Sequence, residues 1–349
     1  MAVLLRRRSL LSAGLLTVLT ACGGTTAQSA SGSGASSVGV DPDTAARRRV
    51  GAAMTALLAA YDNSRQDTPD LRRLLAAELA TVDPGAARAA GAAGAAKAAA
   101  SAQATVTASP SPRAVASVST SASASAAASA SGSASPRASA APVSNAVLGA
   151  RESALATQCA TELLAVSPAL ARLLASVSAG AAQRAVVLGA PAPATAEPTS
   201  ASAPAHLSAA ELSSLQAALG AEDAAVYGYG VIGAQLSGSD RDRASTDFDL
   251  HRARRDALSA RITAAGARPQ AAAAAYVLPF DVTDAGSARR LAALLETRLA
   301  AVYANGVQAA TGALRTEAAT ELRAAALRGL SWGGTPTAFP GLPEPASSS

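Results

Sequence analysis

Residues 207–236, LSAAELSSLQAALGAEDAAVYGYGVIGAQL, carry the clearest helical pattern of the sequence. Ser208 and Glu211 have the spacing of a capping box, and Leu207 stands where a hydrophobic staple requires an apolar residue. After this start, apolar residues recur every three or four positions, which is the a/d spacing of a bundle helix. The stripe consists of Leu212, Leu215, Leu219, Glu222, Val226, Tyr229, Gly233 and Leu236. The stretch therefore predicts one long bundle helix.

Three more helices are predicted toward the C-terminus. The second covers about 240–266, the third begins at 283 or 284, and the fourth covers about 314–330. Their stripes are Phe248, His251, Arg255, Leu258 and Ile262 in the second helix, and Leu291, Leu295, Leu299 and Val302 in the third. No stretch of the sequence shows the alternation typical of a strand. The sequence predicts an all-α protein with a four-helix bundle at 207–335 and a tail at 336–349.

Charged residues occupy or adjoin these apolar stripes. Glu222 lies on the first stripe, His251 and Arg255 lie on the second, and Glu296 lies beside the third. A lone ionised carboxylate inside a bundle costs several kcal/mol unless it is paired or coordinated. We therefore predict a buried ion-pair cluster of Glu222, His251, Arg255 and Glu296. The planar guanidinium of arginine suits this arrangement because it matches the geometry of a carboxylate.

A metal site is the alternative for the same positions. The pattern resembles the ferritin-like superfamily, whose metal sites take a Glu from each of two helices and Glu-x-x-His from each of the others. Phe248 stands where the second helix requires Glu, and Thr320 stands where the fourth requires His. The remaining candidate ligands are Glu222, His251, Glu296 and Glu317. We expect no cofactor; a metal held by this reduced set would be iron, manganese or zinc.

Local motifs in the same region resemble one family. They are Ala221-Glu222, Tyr227-Gly228-Tyr229-Gly230, His251-Arg252-Ala253-Arg254-Arg255-Asp256, Tyr276-Val277-Leu278-Pro279-Phe280, and Trp332 with Ala338-Phe339-Pro340-Gly341. Over about 207–341 they resemble the ferritin-like lipoprotein family of actinobacteria known as domain of unknown function 4439. The resemblance implies a ferritin-like bundle and a location in the cell envelope. It implies no reaction, because the family carries no established activity.

The N-terminus resembles a bacterial lipoprotein signal. Residues 1–21 combine three arginines with a short apolar stretch, and Leu19-Thr20-Ala21-Cys22 resembles a lipobox. We predict cleavage before Cys22, its acylation with fatty acids such as palmitate, and a flexible tether at 22–43. The protein is then expected on the extracytoplasmic face of the cell membrane. Arg7 and Arg8 also fit a twin-arginine signal, and an ordinary secretory leader is the alternative.

The region between the tether and the bundle alternates between helical and low-complexity patterns. Short helices are predicted at 44–88 and a helical segment at 143–190. Ala and Ser supply 28 of the 42 residues at 101–142, so residues 89–142 are predicted to be disordered. A Pro/Ala linker is predicted at 191–206. Because eight of the nine aromatic residues lie after residue 206, we expect one proper core, near the C-terminus.

Charge excludes one class of function. The formal net charge of +5 includes three arginines of the leader, and residues 207–345 contain 13 arginines against 14 acidic residues. Nucleic-acid binding requires a concentrated basic face, so we expect no such partner. The sequence predicts a membrane-anchored, non-enzymatic binding or envelope-interaction module whose protein or small-molecule partner it does not identify. The alternative is a metal-binding or metal-dependent oxidase-type protein that uses the reduced ligand set.

Overall fold

A computed structural model describes residues 40–64, 68–106, 142–192 and 206–343, with side chains to residue 96 in the second range. These ranges contain nine helices and no strand, so the predicted all-α class is confirmed. The signal peptide, Cys22 and most of the tether lie outside the described residues, as do 107–141, 193–205 and 344–349. The helices are α1 Pro42–Asp62, α2 Pro69–Val82, α3 Pro84–Val106, α4 Asn145–Glu162, α5 Pro168–Val187, α6 Ala209–Gln235, α7 Gly238–Ala264, α8 Ala285–Ala309 and α9 Gly312–Ser331.

Helices α6 to α9 form the predicted four-helix bundle. The predicted capping box begins α6, because Ser208 Oγ accepts from the Glu211 amide while the Glu211 carboxylate accepts from the Ser208 amide. A second capping box, formed by Asp284 and Ser287, begins α8. Helix α6 packs against α7 and α8, and α8 packs against α9. The long connection from α7 to α8 gives α6 and α8 neighbouring positions in the bundle.

The five helices α1 to α5 form an N-terminal layer, which packs against this bundle through α5. Helix α5 is buried over most of its length and contacts α4 on one side and α8 and α9 on the other. Gln183 donates to the carbonyl of Ala326 at 2.8 Å and accepts from the Thr337 amide at 3.2 Å. Arg315 of α9 donates to the carbonyls of Leu163 and Val166 at the α4–α5 corner. Hydrogen bonds between buried groups therefore join the layer to the bundle.

The described residues form one core, as expected, but this core is not confined to the region near the C-terminus. Buried leucines of α1, α2, α4 and α5 form a hydrophobic core that is continuous with that of the bundle. Aromatic content is a poor guide here because leucine, valine and methionine supply the buried area of the N-terminal layer. The fully buried examples are Val50, Met54, Leu75, Leu148 and Leu174.

Helix α3 corrects the predicted start of the disordered insert. It extends to Val106, so residues 89–106 are helical rather than disordered. The prediction weighed only the lack of large side chains to bury, and it neglected that alanine has the highest intrinsic helix propensity of all residues. Residues 91–96 of this helix are exposed.

None of the described helices combines the length and the apolar composition that crossing a bilayer requires.

Candidate functional site

Two helices of the bundle present the same pair of side chains to its interior. Helix α6 carries Glu222 and Tyr229, and α8 carries Glu296 and Tyr303, with a spacing of seven residues in each case. Seven residues are about two turns, so the two members of each pair lie on one face. We use the name bundle cluster for these four residues with His251 of α7 and Arg328 of α9.

His251 bridges the two carboxylates at the centre of the bundle cluster. Its Nδ1 lies 2.7 Å from Glu222 Oε2, and its Nε2 lies 3.0 Å from Glu296 Oε1. Both ring nitrogens face acceptors, which only the protonated imidazolium satisfies with two N–H donors. Burial lowers the pKa of His251, but the two hydrogen bonds and the two negative charges outweigh it and raise the pKa to about 9.

The tyrosines pair crosswise between α6 and α8. The Tyr229 hydroxyl donates to Glu296 Oε1 at 2.7 Å, and the Tyr303 hydroxyl donates to Glu222 Oε1. Burial, followed by the charge of the adjacent carboxylate, raises the pKa of each tyrosine well above its ordinary value. The Tyr229 ring also stacks on the His251 ring, with 5.0 Å between centroids, which favours a charged imidazolium. Each carboxylate therefore accepts a hydrogen bond from one neutral tyrosine hydroxyl, and both carboxylates share the imidazolium of His251.

Arginines complete the charge balance of this interior. Arg328 Nε donates to Glu296 Oε2 at 3.0 Å. Burial alone would raise the pKa of Glu296, but Arg328 and His251 outweigh it and hold the pKa at about 2. The bundle cluster thus combines two carboxylates with an imidazolium and a guanidinium. Its formal charges cancel, as buried charges require.

The structure corrects the predicted role of Arg255. That side chain is 30% exposed and pairs with Asp256 on the surface of α7, with Nη2 2.7 Å from Oδ1. Its neighbour Arg254 is the buried arginine, three residues after His251 rather than four. Arg254 Nε donates to the Tyr303 hydroxyl at 3.4 Å. The prediction failed because both three- and four-residue steps continue a helical stripe.

Glu317 is also separate from the residues with which it was predicted to converge. It lies 2.6 Å from Arg254 Nη1 and 2.5 Å from Arg261 Nη1, and it contacts neither Glu222 nor His251. Of the four candidate metal ligands, the structure brings together Glu222, His251 and Glu296 only. Glu317 instead balances the arginines of α7 at one side of the bundle.

The donor set as arranged does not fit a metal ion. Each of the four carboxylate oxygens of Glu222 and Glu296 already accepts a hydrogen bond. An imidazole binds a metal through a nitrogen lone pair, and both nitrogens of His251 lie within hydrogen-bond distance of a carboxylate oxygen. Arg328 adds a fixed positive charge beside Glu296, which opposes a cation. Within the described ranges, no three His, Cys, Asp or Glu side chains are arranged to hold a metal ion.

A second buried cluster lies in the N-terminal layer. We use the name N-terminal cluster for Tyr61, Glu78, Glu152 and Arg184. Arg184 forms a bidentate pair with Glu78, at 2.6 and 2.7 Å, and donates to Glu152 Oε1 at 2.8 Å. Tyr61 donates to the same oxygen of Glu152 at 2.7 Å. The arginine and both glutamates are fully buried, so two carboxylates share one cation.

The electrostatics of the N-terminal cluster differ from those of the bundle cluster. Burial raises the pKa of Glu78 to about 7, although Arg184 opposes the shift. Glu152 Oε2 has no hydrogen-bond partner in the described part of the chain. The N-terminal cluster is therefore short of donors and of positive charge.

Sequence reasoning missed the N-terminal cluster, although the signal was present. Glu152 lies on the stripe of α4, between Leu148 and Leu155, and Arg184 follows Val177 by seven residues. A charged residue on an apolar stripe is the criterion that singles out Glu222, and it applies equally to Glu152 and Arg184.

The sequence also carried an unused signal for the bundle cluster. The Glu-x6-Tyr pattern occurs in both α6 and α8, and its recurrence predicts equivalent pairs on these two helices.

Several concave surfaces flank the bundle, and two of them involve the C-terminal half of α9. A recess of about 730 Å³ lies between α8, α9 and the segment 332–342. Its arginines are engaged: Arg289 pairs with Asp240 at 2.6 Å, and Arg290 lies over the Phe280 ring at 3.9 Å. A groove of about 300 Å³ lies between α7 and α9. Arg328, a member of the bundle cluster, is one of the residues that line it.

Comparisons with known proteins identify the C-terminal region. The model of a family described as a domain of unknown function (DUF4439) matches residues 214–344. A solved structure of a conserved hypothetical protein from Mycobacterium tuberculosis is 32% identical, with 36% of this chain and 97% of that chain covered and a TM-score of 0.35. No curated protein matches. Helices α1 to α5 precede the matched residues. Residues 214–344 of the chain therefore carry this domain of unknown function, as the motifs predicted.

Proposed function

We propose that this chain is a lipid-anchored, extracytoplasmic and non-enzymatic binding module. In this proposal, its bundle keeps the carboxylates of a ferritin-like site but neutralises them with protonated side chains instead of a metal. The observation that carries the proposal is His251, whose two ring nitrogens lie 2.7 and 3.0 Å from carboxylates of two helices. A bridge of this kind fixes the register of three helices, which is the best-attested role of buried ion pairs.

The chemistry of the bundle cluster also supports a role without catalysis. A general acid or base has to exchange a proton with a substrate within hydrogen-bond reach. Glu222, His251 and Glu296 are at most 1% exposed. Their hydrogen bonds are made to one another, to Tyr229 and Tyr303, and to Arg328. The raised pKa values of Tyr229 and Tyr303 keep both hydroxyls neutral. These residues hold the bundle together and offer no free acid, base or nucleophile to a ligand.

Elemental analysis of the purified, untagged chain tests the absence of a metal. The proposal predicts iron, manganese and zinc contents far below one atom per chain, in the wild type and in Glu222→Ala alike. The competing metal-dependent function requires near-stoichiometric metal in the wild type and its loss in Glu222→Ala. Glu152→Ala, which removes a buried acid of the N-terminal cluster, is the control for loss of metal through general destabilisation.

Membrane fractionation tests the anchor. Because Cys22 is the proposed acylation site, Cys22→Ser is expected to move the chain from the membrane to the soluble fraction and to abolish incorporation of labelled palmitate. Cys159→Ser is the matched control, since this second cysteine is buried in α4 and should leave the location unchanged. A Cys22→Ser chain that still sediments with membranes contradicts acyl anchoring.

A further inference from the structure

The groove between α7 and α9 differs from the other concave surfaces of the described residues in holding a half-buried cation without a partner; Arg241, in the recess between α6 and α7, is exposed. Arg323 lines it and is half-buried. It forms no hydrogen bond or ion pair with the residues that the structure describes, and burial alone lowers its pKa. A guanidinium that is partly removed from water without a counter-ion costs free energy, which an anion in the groove would recover.

Arg328 provides a second set of donors to the same groove. Its Nε is engaged by Glu296, while its two Nη groups donate to no described residue. Arginine presents its N–H groups in a planar fork that matches carboxylate and phosphate oxygens. Two guanidinium groups with unused donors therefore face one cavity.

The other residues of the groove favour an anion of low charge that has an apolar part. Asp247 lowers the positive charge of the groove, and aliphatic side chains provide apolar contacts. Asp247 lines the groove and accepts the Trp332 indole N–H at 2.8 Å, so it places a carboxylate near the arginines. That carboxylate lowers the net positive charge of the groove, which reduces the electrostatic advantage of a dianion such as phosphate over a monoanion. Ala192, Leu250, Ala324 and Leu327 line the groove with apolar side chains, and Thr246, Thr320 and Ser331 add hydroxyls. A volume of about 300 Å³ is at the lower end of the range for small-molecule sites.

We propose that the α7–α9 groove binds a small organic carboxylate, with Arg323 as the principal anchor and Arg328 as the second donor. This inference names a ligand class for the binding role proposed above and rests on that role. The recess at α8 and α9 is larger, but its arginines already have partners, so it lacks this unmet demand for an anion. Because Arg328 also holds Glu296, a ligand in the groove contacts the bundle cluster through one shared side chain.

Calorimetric titration of the purified full chain with benzoate tests the proposal. Benzoate combines a carboxylate with a compact apolar ring, and benzamide is its uncharged counterpart. We expect benzoate to bind at least about tenfold more tightly than benzamide, because a charge-assisted hydrogen bond to arginine contributes that much. Arg323→Gln should weaken benzoate binding by about tenfold or more. Arg298→Gln removes an exposed arginine of α8 outside the groove and should not change it.

The outcomes separate this inference from the proposed function. Equal benzoate affinity in the wild type and Arg323→Gln, or no benzoate binding by the wild type, overturns the carboxylate site. Tighter binding of inorganic phosphate than of benzoate overturns the assignment of an apolar monoanion. Thermal melting checks that Arg323→Gln is folded. We expect a melting temperature close to that of the wild type, because loss of an unpaired arginine should not destabilise the chain. Metal content and membrane location, which test the proposed function, do not depend on benzoate.

Discussion

The bundle cluster and the N-terminal cluster use similar residues with different charge balances. Each contains two buried glutamates, and in each a tyrosine donates to a glutamate. The bundle cluster supplies two cations, His251 and Arg328, whereas the N-terminal cluster supplies Arg184 alone. The pKa of Glu296 accordingly falls to about 2, while that of Glu78 rises to about 7. A buried carboxylate stays ionised only where enough positive charge accompanies it.

The largest effect is expected where a cluster has no second cation. Arg184→Met leaves Glu78 and Glu152 buried without a counter-charge, and it should lower the free energy of unfolding by about 3–5 kcal/mol. Urea denaturation followed by circular dichroism measures the loss. Arg151→Met, on the exposed face of α4, is the control and should change stability by less than about 0.5 kcal/mol. Equal losses in the two variants would mean that the N-terminal cluster contributes nothing to stability.

The bundle cluster should tolerate the loss of one cation somewhat better. His251→Gln keeps the side chain polar and leaves Arg328 on Glu296, so we expect a loss of about 2–4 kcal/mol in the same assay. His206→Gln is the matched control, because this second histidine is exposed and should be neutral on substitution. A larger loss for His251→Gln than for Arg184→Met would contradict the role assigned to the second cation.

The pH dependence of stability should also differ between the clusters. Between pH 4.5 and about 7 the folded chain retains a proton on Glu78 that the unfolded chain releases, so stability falls as pH rises through this window. The His251 contribution is complete below pH 6.5 and is lost as pH rises through about 9. The Glu296 contribution is complete above pH 4.5 and is lost as pH falls toward 2.

Glu78→Gln isolates the first of these contributions. The stability of the wild type relative to Glu78→Gln should decrease by about 2–3 kcal/mol between pH 4.5 and pH 7.5, because the glutamine cannot titrate. Urea denaturation at pH 4.5, 5.5, 6.5 and 7.5 gives the difference directly. A difference that is constant over this range would show that Glu78 is ionised in the folded chain throughout.

The smallest effects test the crosswise pairing within the bundle cluster. Tyr229→Phe and Tyr303→Phe each remove one buried hydrogen bond to a carboxylate, and each should cost about 1–2 kcal/mol. Tyr303→Phe should cost the more of the two, because it also removes the bond that Arg254 Nε donates to this hydroxyl. Tyr227→Phe is the control on the exposed side of α6. A loss confined to one tyrosine would contradict the crosswise pairing of α6 and α8.

Spacing and capping predicted much of the fold, and the residues concerned show why. The capping box at Ser208 and Glu211 depends on local geometry, so it is visible in sequence. The docking of α5 on α8 and α9 is not visible, because bonds such as that from Gln183 to the Ala326 carbonyl join distant parts of the chain. Helix α3 was missed because the high intrinsic helix propensity of its alanines leaves no apolar stripe of large side chains in the sequence.

The candidate site was predictable to the level of residue type but not of partner. A charge on an apolar stripe indicates burial, and Glu222, His251 and Glu296 do meet in the interior. Which of Arg254 and Arg255 is buried depends on the rotation of α7 about its axis. The apolar stripe of α7 continues by steps of three or four residues, so the sequence does not determine this rotation. Arg328 was missed because its partner lies on another helix, 32 residues away in sequence.

Nuclear magnetic resonance of the chain labelled with ¹⁵N-histidine tests the central claim most directly. The sequence contains only two histidines, so exposed His206 serves as an internal reference for His251. A protonated bridge predicts that both ring nitrogens of His251 carry protons at neutral pH and that the ring titrates near pH 9. A neutral His251 ring at pH 7, with one nitrogen bearing a lone pair or bound to a metal, would contradict the account.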